Sequence, residues 1–404
     1  MSIPTIPIAR SRALPVLLCL SHLRWDSVYQ RPHHLMSRAA RSYSVIFFEE
    51  PLEVPAGPDL PRLVTRMTPE GVLVATPWVA PGQDEVAVEG QQARLLDELV
   101  ATLATPVQVA WFYTPMALAF AASLRAAVTV FDSMDELSAF RGASPRLVLL
   151  ERRLLRQADL VFAGGHSLHK AKSRLHPRVH LFPSSVDVPH FHRAREAIEE
   201  PLDQAGLLHP RLGFHGVVDE RMDLDLLAAI ADRRPAWQVV IVGPVAKLDP
   251  ASLPQRRNLH WLGQKPYASL PNYLSGWDVG LMPFALNEAT RYISPTKTSE
   301  FLAAGVPVVS TPVADVMHDW GHDGLVEIAC GVDETVTAIE RLLTRPKQAW
   351  LARVDQRLRG MSWDATWARM QSLMQDAVHT AQQPGRDEDH RLPDNRLRSY
   401  CEAC

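Results

Sequence analysis

Ser294-Pro-Thr-Lys-Thr-Ser-Glu-Phe-Leu-Ala-Ala-Gly-Val-Pro-Val-Val-Ser-Thr-Pro312 runs from a cap signal through a short helix to an apolar strand. Ser294 is placed to cap the helix and Pro295 to be its first residue. The helix is expected to reach Ala304, where Gly305 supplies a left-handed stop, and Val306 to Ser310 reads as a buried strand. At such a helix start the backbone N–H groups point outward and the positive end of the dipole collects. Lys297 and Thr298 occupy that first turn, and Glu300, three residues beyond Lys297, shares its face. A cation with open amides can hold a phosphate, and a carboxylate one turn deeper can accept from a ribose diol. The same layout also serves an ordinary surface helix with a Lys–Glu pair.

Working outward, strands and helices alternate on both sides of this stretch. Leu14 to Leu20, Tyr43 to Glu49, Val107 to Tyr113, Val128 to Asp132, Leu160 to Ala163 and Val179 to Phe182 read as strands. Helical patterns separate most of them, from Arg31, over Gln91 to Leu103, Pro115 to Leu124, Pro145 to Gln157 and Ser167 to Arg174. Two shorter strands are expected around Pro69-Glu-Gly71. Asp187 to Gly206 carries His, Arg and Glu without an apolar period and reads as a linker. The alternation then restarts at Arg211 and closes on a long helix from Ser362 to Ala377 with Trp363 and Trp367 on one face. The pattern predicts an α/β chain of two Rossmann-like domains with parallel, helix-flanked sheets. The expected division is residues 1–186, a linker 187–206, a second domain 207–361, a final helix 362–381 and a polar, disordered tail 382–404.

Composition narrows the class. With 42 basic and 45 acidic residues the net charge is −3, so no global basic field points to nucleic acid. Proline is 32 of 404 residues, about 8% against a typical ~5%, and falls at turns between apolar runs. No apolar run reaches the ~18 residues of a membrane span. Leu14 to Leu20 is too short for one, and Pro15 and the lack of a cleavage pattern argue against a signal peptide. The cytoplasm is the expected compartment. Cys19 and Cys330 are expected in buried strands, and Cys401-x-x-Cys404 lies in the tail. No G-x-G-x-x-G, P-loop or H-E-x-x-H occurs, and no Cys/His cluster is visible, so neither a metal nor a dinucleotide cofactor is expected. His33-His34 are adjacent and would point apart on a helix.

The opening stretch resembles the signature helix of GT-B glycosyltransferases in the glycogen-synthase-like, nucleotide-sugar group. Pro295, Lys297, Glu300 and the run Ala303-Ala-Gly-Val-Pro-Val-Val309 carry the match. The resemblance implies that the helix start cradles the donor diphosphate and that Glu300 holds the ribose. Retaining members carry a further Glu eight residues upstream, where this chain has Tyr292, so retention is not implied. Gly216-Val-Val-Asp-Glu-Arg221 follows a strand and precedes a helix, at the end of a sheet where ligands bind. Arg221 there suits a bidentate phosphate clamp, or equally a surface pair with Asp223 or Asp225. Gly243 allows close approach at the next strand end. Tyr267 and the Leu262-Gly-Gln264 turn resemble the nucleobase region. The donor set is therefore Arg221, Gly243, Ser294, Lys297, Thr298 and Glu300. Ala158 to Leu168 and Phe182-Pro-Ser-Ser-Val-Asp187 add weaker likeness in the first half, and the resemblance also implies that the last helix crosses back to brace the first domain.

Two loops of the first half complete the expectation. Ser21 to His34 and Phe131 to Arg141 each follow a strand and should face one cleft. Sugar transfer needs leaving-group stabilisation, and inverting transfer also needs a base at the acceptor hydroxyl. His22, Asp26, Asp132 and Asp135 are the catalytic candidates. The reading is a metal-independent glycosyltransferase moving a sugar from a nucleoside-diphosphate sugar to a polysaccharide or lipid-linked acceptor. Arg146, Arg152, Arg153 and Arg156 offer peripheral contact at the inner membrane surface. The alternatives are a sugar-phosphate or nucleotide-sugar epimerase of the same fold, and a non-catalytic glycan-binding subunit.

Overall fold

The computed structural model describes residues 14–382. Cys401, Cys404 and nearly all of the expected tail lie outside the described residues. In the first domain the strands are β1 (Val16–Leu20), β2 (Ser44–Phe48), β3 (Leu52–Glu53), β4 (Arg62–Met67), β5 (Val72–Val79), β6 (Val107–Phe112), β7 (Val128–Ser133), β8 (Leu160–Ala163) and β9 (Val179–Leu181). They form one sheet in the order β3-β5-β2-β1-β6-β7-β8-β9, with β4 added beside β5. All pairings are parallel except the β4–β5 hairpin, whose turn uses Gly71 at φ 84°. Alternate residues of these strands feed two cores. Leu17, Cys19, Phe47, Trp111 and Phe162 face one side, while Leu18, Leu20, Ile46 and Phe48 face the other.

The second sheet contains β10 (Arg211–His215), β11 (Gln238–Val242), β12 (Leu259–Trp261), β13 (Val279–Met282), β14 (Val308–Ser310) and β15 (Val326–Ile328). Its order is β12-β11-β10-β13-β14-β15, all parallel. The strand order reverses between β10 and β13, and the first sheet reverses between β1 and β6. Crevices open at the carboxyl ends of strands at such switch points. The helix Trp363–Ala381 leaves the second domain and buries Trp363, Trp367, Met370 and Met374 in the first-domain core. His34 stacks on Trp363 at 4.5 Å.

Several elements differ from expectation. The helix of the opening stretch is Lys297–Ala303, with Thr296 rather than Ser294 at the cap position. Pro115 to Leu124 forms only a tight turn at Pro115–Ala119. The helix Lys347–Leu358 was not expected from the sequence: its apolar contacts, Trp350, Val354 and Leu358, are too sparse to show a strong stripe. Residues 187–206 are not a bare linker. Asp187 accepts from the His190 N–H at 3.2 Å and caps the helix Val188–His192, and Phe191 is fully buried in the second core. Gln204 accepts from Trp277 Nε1 at 2.7 Å and donates to the Tyr273 carbonyl at 3.0 Å. Single anchors of this kind leave no period to read. Cys330 is exposed because the chain turns away after β15 at Gly331, φ 72°.

Candidate functional site

A cleft opens between the domains at the carboxyl ends of β10 and β11. Two glycine turns form its floor. Gly243, at φ 153°, packs so tightly that a Cβ would stand 1.8 Å from the Gly216 carbonyl oxygen. Gly216, at φ 136°, is crossed by Lys297, whose Cε would lie 2.0 Å from a Cβ at that position. No side chain fits either place, so glycine lets the lysine lie flat along the β10 turn. Burial pushes the Lys297 ammonium below its ordinary lysine value, with Arg221 adding to the effect and Glu300 opposing it. It is a poorly hydrated cation at a helix start, which favours an anionic partner.

Glu300 sits one turn deeper. Burial raises its carboxyl to about 7, and Lys297 opposes the rise. His215, at the end of β10, places Nε2 at 3.5 Å from Glu300 Oε2, a contact rather than a good hydrogen bond. Burial, with help from Lys297, lowers His215 to about 3, so the ring is neutral. His215 escaped the sequence reading, although its place before Gly216 at a strand end is the signal that would have found it.

Of the expected donor residues, Arg221, Gly243, Ser294, Lys297 and Glu300 line the cleft. Thr298 does not: it is fully buried and its hydroxyl meets Met282 Sδ at 3.4 Å. Arg221 pairs with neither Asp223 nor Asp225. Its Nε and Nη2 grip Asp219 at 2.9 and 2.6 Å, which aims the guanidinium along the cleft wall. Asp223 instead caps the helix Leu224–Arg233. Tyr267 is stacked between His190 at 4.2 Å and Tyr29 at 4.5 Å, so neither ring face is open to a base. Tyr292 lies against Arg291 rather than in the cleft.

The first-domain candidates separate. Asp135 lines the cleft opposite Lys297, and burial raises its carboxyl while Arg221 and Lys297 oppose. Asp132 does not reach it. The carboxylate is fully buried and held bidentately by Arg31, at 2.9 and 2.8 Å, while Arg31 also donates to the Phe182 carbonyl at 2.7 Å. Asp26 is 79% exposed and pairs with Arg66 at 2.6 Å on the surface. His22 lies in a neighbouring pocket with Glu49, Glu50, Phe140 and Lys247, where burial and then Lys247 lower its ring to about 4. Lys247 holds a left-handed backbone, φ 58°, and brings the second domain to that pocket.

The domains also touch around the cleft. The Arg141 N–H donates to Glu220 at 2.8 Å, and the Ser167 N–H donates to Asp315 at 3.0 Å. Among the described residues no helix is long and apolar enough to cross a membrane.

Residues 209–345 match the family model for Glycosyl transferases group 1. Over 170 residues the chain is 29% identical to the putative teichuronic acid biosynthesis glycosyltransferase TuaH of Bacillus subtilis (strain 168). That match covers 40% of this chain and 42% of the relative, so less than half of the curated relative's length is spanned. The fold is similar to a trehalose-6-phosphate protein from E. coli bound with UDP-2-fluoro glucose. There the TM-score is 0.68 at 15% identity, over 92% of this chain and all of that one. Sucrose-phosphate synthase from Thermosynechococcus elongatus gives 0.65 at 14% identity, over 91% of this chain and all of that one. The catalytic domain of starch synthase IV from Arabidopsis thaliana gives 0.63 at 10% identity, over 91% and 100%.

Proposed function

With a group 1 glycosyl transferase domain over residues 209–345 in a GT-B frame, we propose that the chain moves a sugar from a nucleoside-diphosphate sugar to a glycan under construction. The observation that carries the reading is Lys297 laid across Gly216, with Arg221 and Glu300 in the same cleft. A leaving diphosphate gains negative charge as the glycosidic bond breaks, and fixed cations in a half-buried site stabilise that charge as it develops. Lys297, Arg221 and the amides at the helix start supply it without a metal step. For the acceptor proton we take Asp135, which lines the cleft from the first domain; burial raises its carboxyl, which suits a base. The name of the B. subtilis relative, a putative teichuronic acid biosynthesis glycosyltransferase, supports a polysaccharide product.

A lipid-linked acceptor fits the helix Arg146–Gln157. Arg152, Arg153 and Arg156 are exposed there, beside Leu149 at 66% exposure. Arg146 is engaged with Glu85 and Glu89 at 3.1 and 3.0 Å and leaves three arginines for anionic headgroups.

Thermal unfolding with UDP, GDP, dTDP and ADP tests the donor site. One diphosphate should stabilise the protein, by about 2.7 kcal/mol at 100-fold excess over Kd. Four flat titrations would overturn the reading.

Glu300 gives a second test. The ionised carboxylate accepts two ribose hydroxyls, whereas the protonated form has given up part of that capacity. With the folded value at about 7, nucleotide affinity should rise as pH passes upward through 7 and fall below it. Linkage gives the opposite sign for folding: the native state keeps the proton longer than the unfolded chain, so this group's contribution to stability declines between about 4.5 and 7 as pH rises. Glu300→Gln should flatten the affinity profile and raise the donor KM while leaving measurable kcat. Turnover abolished at wild-type donor affinity would instead make Glu300 part of the chemistry.

A further inference from the structure

A second cluster joins the domains at another point. His166 opens the helix His166–Lys172 of the first domain, just after β8 and Gly164-Gly165. Asp315, His318 and Asp319 come from the short helical segment 314–321 after β14 in the second domain. Asp319 Oδ1 stands 3.1 Å from His166 Nε2 and 2.8 Å from His318 Nδ1, and the two imidazole centroids are 4.0 Å apart. We propose that His166, His318 and Asp319 form a binding site for a divalent transition cation of the zinc type, which straps the first domain to the second.

The donor set argues the class of cation. Two imidazole nitrogens and one carboxylate oxygen, all within 4.8 Å of one another, are the ligands of a four-coordinate zinc site with one position left for water. Magnesium and calcium require more oxygens than this cluster offers. The span contracts by small side-chain rotations, since His166 is 37% and His318 57% exposed. Zinc binds imidazole nitrogens through their lone pairs, so the cation takes the position of any proton between them and Asp319.

The surroundings add an independent indication. Asp315 is 2% exposed, takes the Ser167 N–H at 3.0 Å and the Ser167 hydroxyl on Oδ1, and so holds the residue next to His166. Its Oδ2 has no hydrogen-bond partner among the described residues. This buried, half-satisfied carboxylate is near enough to feel the charges of His166 and Asp319, and it holds the residue next to His166 in place. Gly165 connects the site to the nucleotide cleft: a Cβ there would stand 2.7 Å from Ser294 Cβ and 2.1 Å from Asp315 Oδ2. A cation bound at His166 would sit one residue from this packing against Ser294, which lines the cleft. The site stands on its own residues and does not depend on the transferase reading.

The test uses the 404-residue chain with Cys401→Ser and Cys404→Ser, so that these two thiols cannot bind metal. After chelation it is dialysed against zinc chloride and the bound metal is counted by plasma mass spectrometry. One retained equivalent is expected, with a rise in Tm on adding zinc. Adding His318→Ala or Asp319→Asn in the same background should lose both the equivalent and the Tm rise. His318 is on the surface, so the metal-free Tm of that variant serves as its folding control. Absence of bound zinc, or zinc retained equally by His318→Ala, would overturn the site.

Discussion

Replacing Lys297 by alanine should weaken nucleoside-diphosphate binding about 10- to 100-fold with little loss of folding stability. Hydrogen bonds to charged groups are worth ~1.5–3 kcal/mol, and ~1.4 kcal/mol is a factor of ten in affinity. The lysine has no large structural share to lose. Its ammonium is held below its ordinary value by burial, so the folded protein already bears a cost for keeping the charge there. Removing the side chain relieves that cost and leaves the glycine turn beneath it intact. Calorimetry with the nucleotide that stabilises the wild type decides the matter. Wild-type affinity in Lys297→Ala would remove the diphosphate from the helix start.

Asp132→Ala should have the largest effect on stability, a loss of about 3–5 kcal/mol, because it strands a buried guanidinium. Arg31 is 2% exposed and spends two of its three nitrogens on Asp132. Its remaining bond, to the Phe182 carbonyl, does not neutralise the charge. The double replacement Arg31→Met with Asp132→Leu should recover part of that loss, since an apolar pair of similar volume avoids the desolvation. Urea unfolding of the two variants checks this. Near-wild-type stability in Asp132→Ala, with turnover abolished, would return Asp132 to the list of catalytic groups.

The contrast between Asp132 and Asp135 shows where sequence reading stopped. Both lie in Phe131 to Arg141 and both are carboxylates near a strand end. The strand β7 runs one residue past Asp132, so the pleat turns that side chain into the core, and Asp135 is the one left on the loop. A one-residue difference in strand length decides between a structural and a cleft position, and local propensity does not resolve it. The second domain was more legible. Lys297 and Glu300 sit at the start of the helix Lys297–Ala303, and Arg221 and Gly243 on the loops after β10 and β11; these positions follow from strand, glycine and helix order, and the structure gathers them in one cleft. Thr298 failed because helix phase, rather than nearness to the start, sets which residues face out. The His166–His318–Asp319 cluster had no local signature at all. Its two histidines are 152 positions apart (318 − 166), and only the meeting of the domains brings them together.

The helix Trp363–Ala381 makes the chain a closed belt rather than two beads on a string. The polypeptide enters the first domain, passes to the second and returns to finish the first. A gene fragment that stops at the end of β9 would express a sheet with one face uncovered, lacking Trp363, Trp367, Met370 and Met374. A fragment holding the second domain alone would carry a tryptophan-bearing amphipathic tail with nothing to cover it. Dissection into two independently expressed halves therefore has to move that helix. Fusing residues 362–382 after residue 186 through a flexible linker gives the first half its missing wall. The second half then ends cleanly after Arg359 and Gly360, where the helix Lys347–Leu358 has already closed its own core.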